Sequence, residues 1–178
     1  ETCAFDLLGA TYVRDIQAGE LLTITQDGLH SETFVKKDHL AHCIFEYIYF
    51  ARPDSRIFEQ ICDKVRRKMG KQLARECPVE ADVVIPVPDS STTAALGYAR
   101  ESGIKFELGL LRNHYVGRTF IDPTQNVRAQ KVRLKFNPIE GVLKNRKVCV
   151  VDDSIVRGTT LKILSRMIRD AGATEVHI

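Results

Sequence analysis

From residue 58 to residue 178, patterns typical of helices alternate with short apolar runs typical of strands. The apolar runs read “ADVVIPVP”, “KFELGLL”, “KVCVV” and “TEVHI”. Between them, apolar residues recur every three to four positions, first from Phe58 to Leu73 and later from Thr159 to Ala171. A third helix is predicted in “SSTTAALGYARESG”, which begins with capping residues and ends at Gly103. This alternation predicts an α/β fold, with a parallel sheet and helices on both of its faces.

The first 34 residues follow another pattern and predict short strands joined by turns. The turn signals are Ala18-Gly19 and Asp27-Gly28, each placed between β-rich runs. We therefore expect two domains, residues 1–34 and residues 35–178. Residues 112–144 are polar, basic and weakly periodic, and so long a loop in a compact domain is more often functional than idle.

Charge and composition exclude several classes of protein. The 26 Lys and Arg residues are scattered among 23 Asp and Glu, and the net charge of +3 argues against a nucleic-acid partner. No apolar run approaches 18 residues, so we expect no membrane span. The opening “ETCAFDLLGATY” lacks the basic and apolar regions of a signal peptide.

The five cysteines are odd in number and contain no CxxC, so the sequence predicts neither a disulfide framework nor a zinc ribbon. A reducing compartment follows as the simpler interpretation. Cys62 and Cys149 fall on apolar faces and are expected in the core. His39, His42 and Cys43 could ligate zinc, but no fourth ligand is evident near them.

The stretch “KVCVVDDSIVRGTT” carries the clearest chemical signal in the chain. Asp152 and Asp153 end an apolar strand, and ligands of open α/β sheets bind at the carboxyl ends of strands. The following turn leads into a helix N-terminus, where free amides and the helix dipole favour an anion. Gly158 lets the backbone approach that anion closely, and the neighbouring hydroxyls add donors.

One side of this site therefore favours a phosphate, while two carboxylates favour hydroxyls or a hard cation such as Mg²⁺. A sugar phosphate meets both demands. Two other interpretations remain: a plain turn, or the acid pair of an ATPase. The ATPase would need a GxxxxGK loop followed by Ser or Thr, and the sequence has none.

“VCVVDDSIVRGTT” resembles the thirteen-residue phosphoribosyl pyrophosphate (PRPP) motif of the type I phosphoribosyltransferases. “FEYIYFARPDS” (Phe45–Ser55) and “NHYVGRTFIDPTQ” (Asn113–Gln125) narrow the resemblance to the glutamine PRPP amidotransferase family. The resemblance covers essentially the whole chain. It implies that residues 1–34 end an N-terminal nucleophile glutaminase domain and that residues 35–178 form a phosphoribosyltransferase domain that is incomplete at its C-terminus.

The family transfers ammonia from glutamine to PRPP and releases 5-phosphoribosylamine, pyrophosphate and glutamate, in the first committed step of de novo purine biosynthesis. The resemblance further implies feedback by purine nucleotides, a homo-oligomer that is tetrameric in the family, and a cytoplasmic or, in plants, plastid location. The alternative is a PRPP-binding regulatory module without catalysis. The donor-rich stretch “RNHYVGRT” favours the enzyme, because a sensor needs the phosphate pocket but no closing loop.

The resemblance also assigns site residues. The residues that it assigns to PRPP binding are Asp89, Ser90, Ser91, Asp152, Asp153, Ser154, Ile155, Val156, Arg157, Gly158, Thr159 and Thr160. It assigns Mg²⁺ binding to Ser90, Asp152 and Asp153, although Asp89 or Ser90 could also simply cap a helix. It assigns catalysis to Arg112, Tyr115 and Arg118, in a loop expected to stay open without PRPP and to close over it. Arg112 and His114 depart from the Lys and Arg of some members.

Two cysteines bear on further expectations. Cys43 stands where the iron–sulfur branch of the family has one ligand of a 4Fe–4S cluster, with the other three expected beyond Ile178. The alternative is a buried free cysteine. The family's glutaminase nucleophile is an N-terminal cysteine, whereas this chain starts at Glu1 and Cys3 is internal. We therefore expect no glutaminase activity, and poor solubility or stability, from this chain alone.

Overall fold

The computed structural model describes residues 1–35, 39–114 and 132–178. They form two compact units, Glu1–Cys62 and Asp63–Ile178. The split lies further along the chain than residue 34, and the assignment of residues 1–34 to a separate domain stays a prediction. Within the described ranges, no helix is long and apolar enough to cross a membrane.

The first unit consists of short elements around one hairpin. They are a 3-10 turn at Thr2–Ala4, α1 (Phe5–Leu8), β1 (Glu20–Thr25), β2 (Gly28–Thr33), a π-helical turn at Glu46–Phe50, β3 (Arg56–Ile57) and β4 (Gln60–Ile61). β1 pairs antiparallel with β2, and the turn between them lies at the predicted Asp27-Gly28. The prediction of strands and turns throughout residues 1–34 is wrong at the start, since the first eight residues are largely helical.

The second unit is built around a parallel sheet. Its strands are β5 (Val83–Pro86), β6 (Lys105–Phe106), β7 (Leu110–Arg112), β8 (Phe136–Pro138), β9 (Lys147–Val151) and β10 (Glu175–His177). Its described helices are α2 (Cys62–Glu76, whose first residue closes the first unit), α3 (Thr92–Ser102), α4 (Glu140–Leu143) and α5 (Thr159–Asp170). The sheet order is β10-β9-β5-β6, with every pair parallel, while β7 and β8 form a separate antiparallel pair.

Consecutive residues of β5 and β9 are buried. Because successive side chains of a strand point to opposite faces, both faces of these strands are covered. On one face Ile85 and Val150 belong to a cluster with Leu164 and Ile168 of α5. On the other face Val84 and Cys149 belong to a cluster with residues of α2 and α3, including Tyr98. Helices therefore cover both faces of the parallel sheet, as the sequence predicts, and the cysteines expected in the core, at positions 62 and 149, are buried.

Three local predictions are wrong. The helix predicted from Phe58 begins at Cys62, because Phe58 and Glu59 have positive φ angles of 44° and 64° in the turn between β3 and β4. The predicted single strand “KFELGLL” is divided into β6 and β7. The predicted loop of residues 112–144 contains β8 and α4 in its last part.

Candidate active site at the carboxyl edge of the sheet

Two loops meet at the carboxyl edge of the parallel sheet. Residues 87–91 connect β5 to α3, and residues 152–158 connect β9 to α5. Because β5 and β9 are paired in parallel, with Pro86 opposite Val151, both loops leave the sheet at the same level. The Val87 amide donates to the Val151 carbonyl at 2.9 Å and fixes this juxtaposition.

The acid pair lies between the two loops. Asp152 Oδ1 accepts hydrogen bonds from the Asp153 amide at 2.9 Å and from Ser91 Oγ at 3.2 Å. Asp153 Oδ1 accepts a hydrogen bond from Ser154 Oγ at 2.8 Å. Asp153 Oδ2 is buried and has no hydrogen-bond partner among the described residues. Such an unsatisfied oxygen is costly unless a ligand or a cation completes it.

Burial raises the pKa of Asp152, and the negative charge of Asp153 acts in the same direction. The hydrogen bonds from the Asp153 amide and Ser91 oppose this increase in pKa. A partly buried carboxylate whose pKa is raised in this way gains when a cation or a set of hydroxyl donors binds beside it.

The 152–158 loop ends in an open helix N-terminus. Gly158 precedes α5 with a φ of 67°, and no side chain caps the helix there. The first helical hydrogen bond runs from the Lys162 amide to the Gly158 carbonyl at 2.9 Å. The amides of the three residues between them, 159–161, precede that bond, and amides of this kind bind anions. Thr159 and Thr160 are exposed beside them.

The remaining predicted PRPP residues of this loop are also on the surface. Ser154, Ile155, Val156 and Arg157 are all exposed, and Val156 is 87% exposed. The exposed valine and isoleucine of this turn fill no core, so the turn lies at the surface of the protein. The sequence pattern thus located an exposed loop beside the acid pair.

The 87–91 loop is more firmly built. Ser91 is fully buried, Ser90 is partly buried, and Asp89 is exposed. The peptide bond between Pro88 and Asp89 is cis. Arg112 Nη1, at the end of β7, donates to Asp89 Oδ2 at 2.8 Å, so the structure places one predicted catalytic cation directly beside this loop.

Sequence reasoning missed Lys135, which precedes β8. Although burial dominates the pKa of Asp152, the positive charge of Lys135 lowers it. The Lys135 ammonium lies 5.1 Å from the centre of the Phe136 ring. The available signal was the basic run “KVRLK” at the end of the long polar stretch, but its charges gave no reason to single out one lysine.

An open cavity of about 410 Å³ adjoins β7 and β8. It is lined by Leu111, Arg112, Asn113, Arg133, Leu134, Phe136 and Asn137. Two guanidinium side chains on an apolar floor give this cavity a positive character. The predicted catalytic residues Tyr115 and Arg118 lie outside the described residues, as does most of the loop predicted to close over PRPP.

Cys43 is exposed rather than buried, in contrast to the alternative of a buried free cysteine. His42 stacks on Phe58, with ring centres 3.8 Å apart. In the parts of the chain that the structure describes, no three His, Cys, Asp or Glu residues come together in a way that could hold a metal ion.

No protein-family model matches the chain, but comparison with individual known proteins shows what the chain resembles. All 178 residues align at 53% identity with the amidophosphoribosyltransferase of Bacillus subtilis and at 52% identity with amidophosphoribosyltransferase 1, chloroplastic, of Arabidopsis thaliana. The solved structure of glutamine PRPP amidotransferase from B. subtilis, complexed with ADP and GMP, matches 99% of the chain with a TM-score of 0.90 at 53% identity. The resemblance to the amidophosphoribosyltransferases is confirmed.

A second solved structure, described as the allosteric regulatory enzyme of purine biosynthesis, also gives a TM-score of 0.90 at 53% identity over 99% of the chain. The chain spans 37% of the B. subtilis amidophosphoribosyltransferase and 31% of the Arabidopsis one. It covers 38% and 39% of the two solved chains. The α/β fold with a parallel central sheet is therefore confirmed, while the chain corresponds to between 31% and 39% of the length of these proteins.

Proposed function

We propose that this chain supplies the PRPP-binding part of an amidophosphoribosyltransferase, which transfers ammonia from glutamine to PRPP. The observation that carries the proposal is that two carboxylates and a helix N-terminus without a side-chain cap follow the same strand at the carboxyl edge of the sheet. Asp152 and the N-cap residue Gly158 are six residues apart in the sequence. The 53% identity to amidophosphoribosyltransferases over the whole chain supports it. PRPP carries both kinds of group that the site is suited to bind, a phosphate and hydroxyls.

In the proposed complex, the 5′-phosphate binds at the start of α5. The free amides of residues 159–161 and the hydroxyls of Thr159 and Thr160 donate to its oxygens, and the helix dipole favours its charge. The ribose hydroxyls donate to the carboxylates of Asp152 and Asp153. Residues 154–157 are exposed, so a phosphate bound beside them would displace no core side chain.

The acid pair fits Mg²⁺. Asp153 Oδ2 has no hydrogen-bond partner among described residues although it is buried, and carboxylate oxygens are the ligands that Mg²⁺ prefers. Asp152, Asp153 and Ser90 would hold the ion together with ligand oxygens. When bound, Mg²⁺ would neutralise charge on the diphosphate of PRPP.

The chemical step breaks the bond between ribose C1 and the diphosphate oxygen. The bonding electron pair leaves with pyrophosphate, ammonia forms the new C–N bond, and one proton is lost. Positive charge develops on the ribose ring while negative charge develops on the leaving group. Arg112, which pairs with Asp89 in the 87–91 loop, would stabilise that negative charge, and Tyr115 and Arg118 are predicted to join it when the loop closes and excludes water.

The whole protein is proposed to follow its relatives. Residues 1–34 would end a glutaminase domain and residues 35–178 would form the transferase domain. Purine nucleotides would act as feedback inhibitors, which agrees with the ADP and GMP bound to the B. subtilis enzyme. A homotetramer and a cytoplasmic or plastid location are further parts of the proposal. A 4Fe–4S cluster stays a prediction, because Cys43 supplies a single thiolate.

The test is PRPP binding and phosphoribosylamine formation by the full-length protein, with Thr159→Val as the variant. Loss of one hydrogen bond to a charged phosphate should weaken PRPP binding about tenfold or more. Thr174→Val is the matched control, because this exposed threonine precedes β10 at the amino edge of the sheet. Equal effects of both variants would contradict the phosphate assignment. Normal PRPP binding without phosphoribosylamine formation would favour the regulatory module instead.

A further inference from the structure

Ser91 occupies the N-cap of α3 but does not cap it. An N-cap serine ordinarily accepts a hydrogen bond from a backbone amide of the first helical turn, which stabilises the helix. Here no side-chain cap is made, and the Ser91 backbone has φ −87° and ψ −3° rather than the extended conformation typical of a cap. The Ser91 hydroxyl therefore does not make the helix-capping hydrogen bond that its position would predict.

The hydroxyl points to the acid pair instead. Ser91 Oγ donates to Asp152 Oδ1 at 3.2 Å, a contact between residues 61 positions apart in the sequence. The same oxygen accepts the Asp153 amide at 2.9 Å. Two donors on one carboxylate oxygen, one from each loop, fix the rotation of the Asp152 carboxylate. The second oxygen, Oδ2, is not engaged by these two bonds and is left for a ligand.

We propose that Ser91 is a positioning residue that holds Asp152 ready for PRPP and does not itself touch the ligand. The inference rests on the proposed function and revises one part of it, because the family resemblance assigns Ser91 to PRPP binding. Ser91 has no exposed surface, so a ligand in the 152–158 loop cannot reach its hydroxyl without displacing the loop around it. Among the described residues, the Ser91 hydroxyl is connected to the site through its hydrogen bond to Asp152.

A carboxylate that is already oriented loses less conformational freedom when the ligand binds. The bond also ties the 87–91 loop to the acid pair, so the loop and the carboxylate are expected to move together. Neither effect requires Ser91 to take part in the chemistry. Its removal should therefore act on PRPP affinity more than on turnover.

The test is a double-mutant cycle in the full-length protein, with Ser91→Ala, Asp152→Ala and the double variant. Alanine is used at position 152 because asparagine would keep the oxygen that accepts the Ser91 hydrogen bond. PRPP binding is measured by calorimetry at one fixed Mg²⁺ concentration. We expect Ser91→Ala to weaken binding about tenfold in the wild-type background and less than about twofold beside Asp152→Ala, since interacting residues are non-additive. A tenfold loss in both backgrounds, or in neither, would overturn the inference.

Steady-state kinetics separate positioning from general damage. The KM for PRPP should rise about tenfold in Ser91→Ala, while kcat falls less than about threefold and the KM for glutamine stays unchanged. Ser165→Ala is the matched control, because Ser165 is a buried serine of α5 whose hydroxyl accepts a hydrogen bond from Arg169. A fall in kcat equal to the rise in KM would also count against positioning.

If Ser91→Ala does not fold, the cycle is run with Ser91→Cys, which keeps a weak donor at this site. We then expect a smaller loss of PRPP affinity that again disappears beside Asp152→Ala, and a loss that persists would refute the inference. Failure of the inference can be told from failure of the proposed function. Unchanged PRPP binding in Asp152→Ala alone would contradict the proposed PRPP site, whereas weakened binding with additive serine effects would contradict only the role of Ser91.

Discussion

The 87–91 loop and the 152–158 loop start from neighbouring strands and both lead into a helix, but they are built in opposite ways. In the 87–91 loop the amide of Ser91 donates to Val87 O at 3.4 Å and the Thr92 amide donates to Asp89 O at 3.3 Å. The loop ends in a fully buried serine. In the 152–158 loop, by contrast, residues 154–157 are all exposed.

This difference indicates that one loop supports the acid pair and that the other binds the ligand. The 87–91 loop makes backbone hydrogen bonds with its own carbonyls and donates the Ser91 hydroxyl to Asp152, so it can hold that carboxylate in place. The 152–158 loop leaves the buried Asp153 Oδ2 without a hydrogen-bond partner among the described residues and leads into a helix N-terminus, so it can gain most from a ligand. Catalytic constellations need both parts, since a binding loop works best when a rigid shell orients it.

The largest expected effect comes from Asp152, where the two loops meet. Asp152→Asn keeps the size of the side chain and removes its charge. PRPP use by the full-length protein should fall by roughly 10²-fold or more, the scale of losing one preorganised electrostatic group. The fold should survive, because Asp152 lies after the last residue of β9 rather than within it.

Asp170→Asn provides the control for this experiment, because Asp170 is an exposed aspartate at the far end of α5. Steady-state assays at varied PRPP and thermal unfolding would be recorded for both variants. If Mg²⁺-dependent PRPP binding is the same in Asp152→Asn as in the Asp170→Asn control, the acid pair has been assigned wrongly.

An intermediate effect is expected at Gly158, which gives the binding loop its exit into α5. Its φ of 67° is left-handed, and a Cβ added there would meet no atom within 4 Å. Gly158→Ala should therefore cost backbone strain alone, about 1–2 kcal/mol of stability. Because relief of that strain would move the phosphate-binding amides, PRPP affinity should fall about tenfold.

Gly103→Ala tests whether that loss of affinity is local. Gly103 also has a left-handed φ, 73°, and open space around its Cβ position, but it ends α3 away from the site. Thermal unfolding should show a similar destabilisation of the two variants. Only Gly158→Ala should lose PRPP affinity, and equal affinities would show that the 152–158 loop does not need its observed backbone to bind.

The sequence predicted this contrast only in part. The strand “KVCVV”, the acid pair after it and the helix from Thr159 were all predictable, because β-branched runs and helical periods are local signals. The parallel sheet with helices on both faces followed from their alternation. The partner of Asp152 was not predictable as such, since a serine before a helix reads first as a cap.

The other errors have similar physical causes. Phe58 and Ile61 have helical spacing with Val65. The left-handed backbone at Phe58 and Glu59 nevertheless prevents the helix from starting before Cys62. Nothing in the local sequence requires a positive φ at a phenylalanine. Lys135 was missed because its effect depends on the pairing of β7 with β8, a contact between segments far apart in sequence.

The smallest effect is expected for the ion pair between Asp89 and Arg112, which tests what makes the 87–91 loop rigid. The two side chains are 2.8 Å apart but are 57% and 39% exposed. Exposed ion pairs contribute about 0–1 kcal/mol and are screened by salt. Asp89→Asn should therefore lower stability by less than about 1 kcal/mol in low salt, and thermal unfolding in about 1 M salt should remove the difference.

The matched control is Glu140→Gln, which breaks the exposed pair with Lys144, also 2.8 Å apart. Similar small, salt-sensitive losses in both variants would mean that burial of Ser91 and the backbone bonds, rather than the ion pair, hold the 87–91 loop. A larger loss in Asp89→Asn that survives high salt would mean that Arg112 helps to build the loop. Arg112 would then be committed to structure before PRPP arrives, and its place among the catalytic residues would have to be reconsidered.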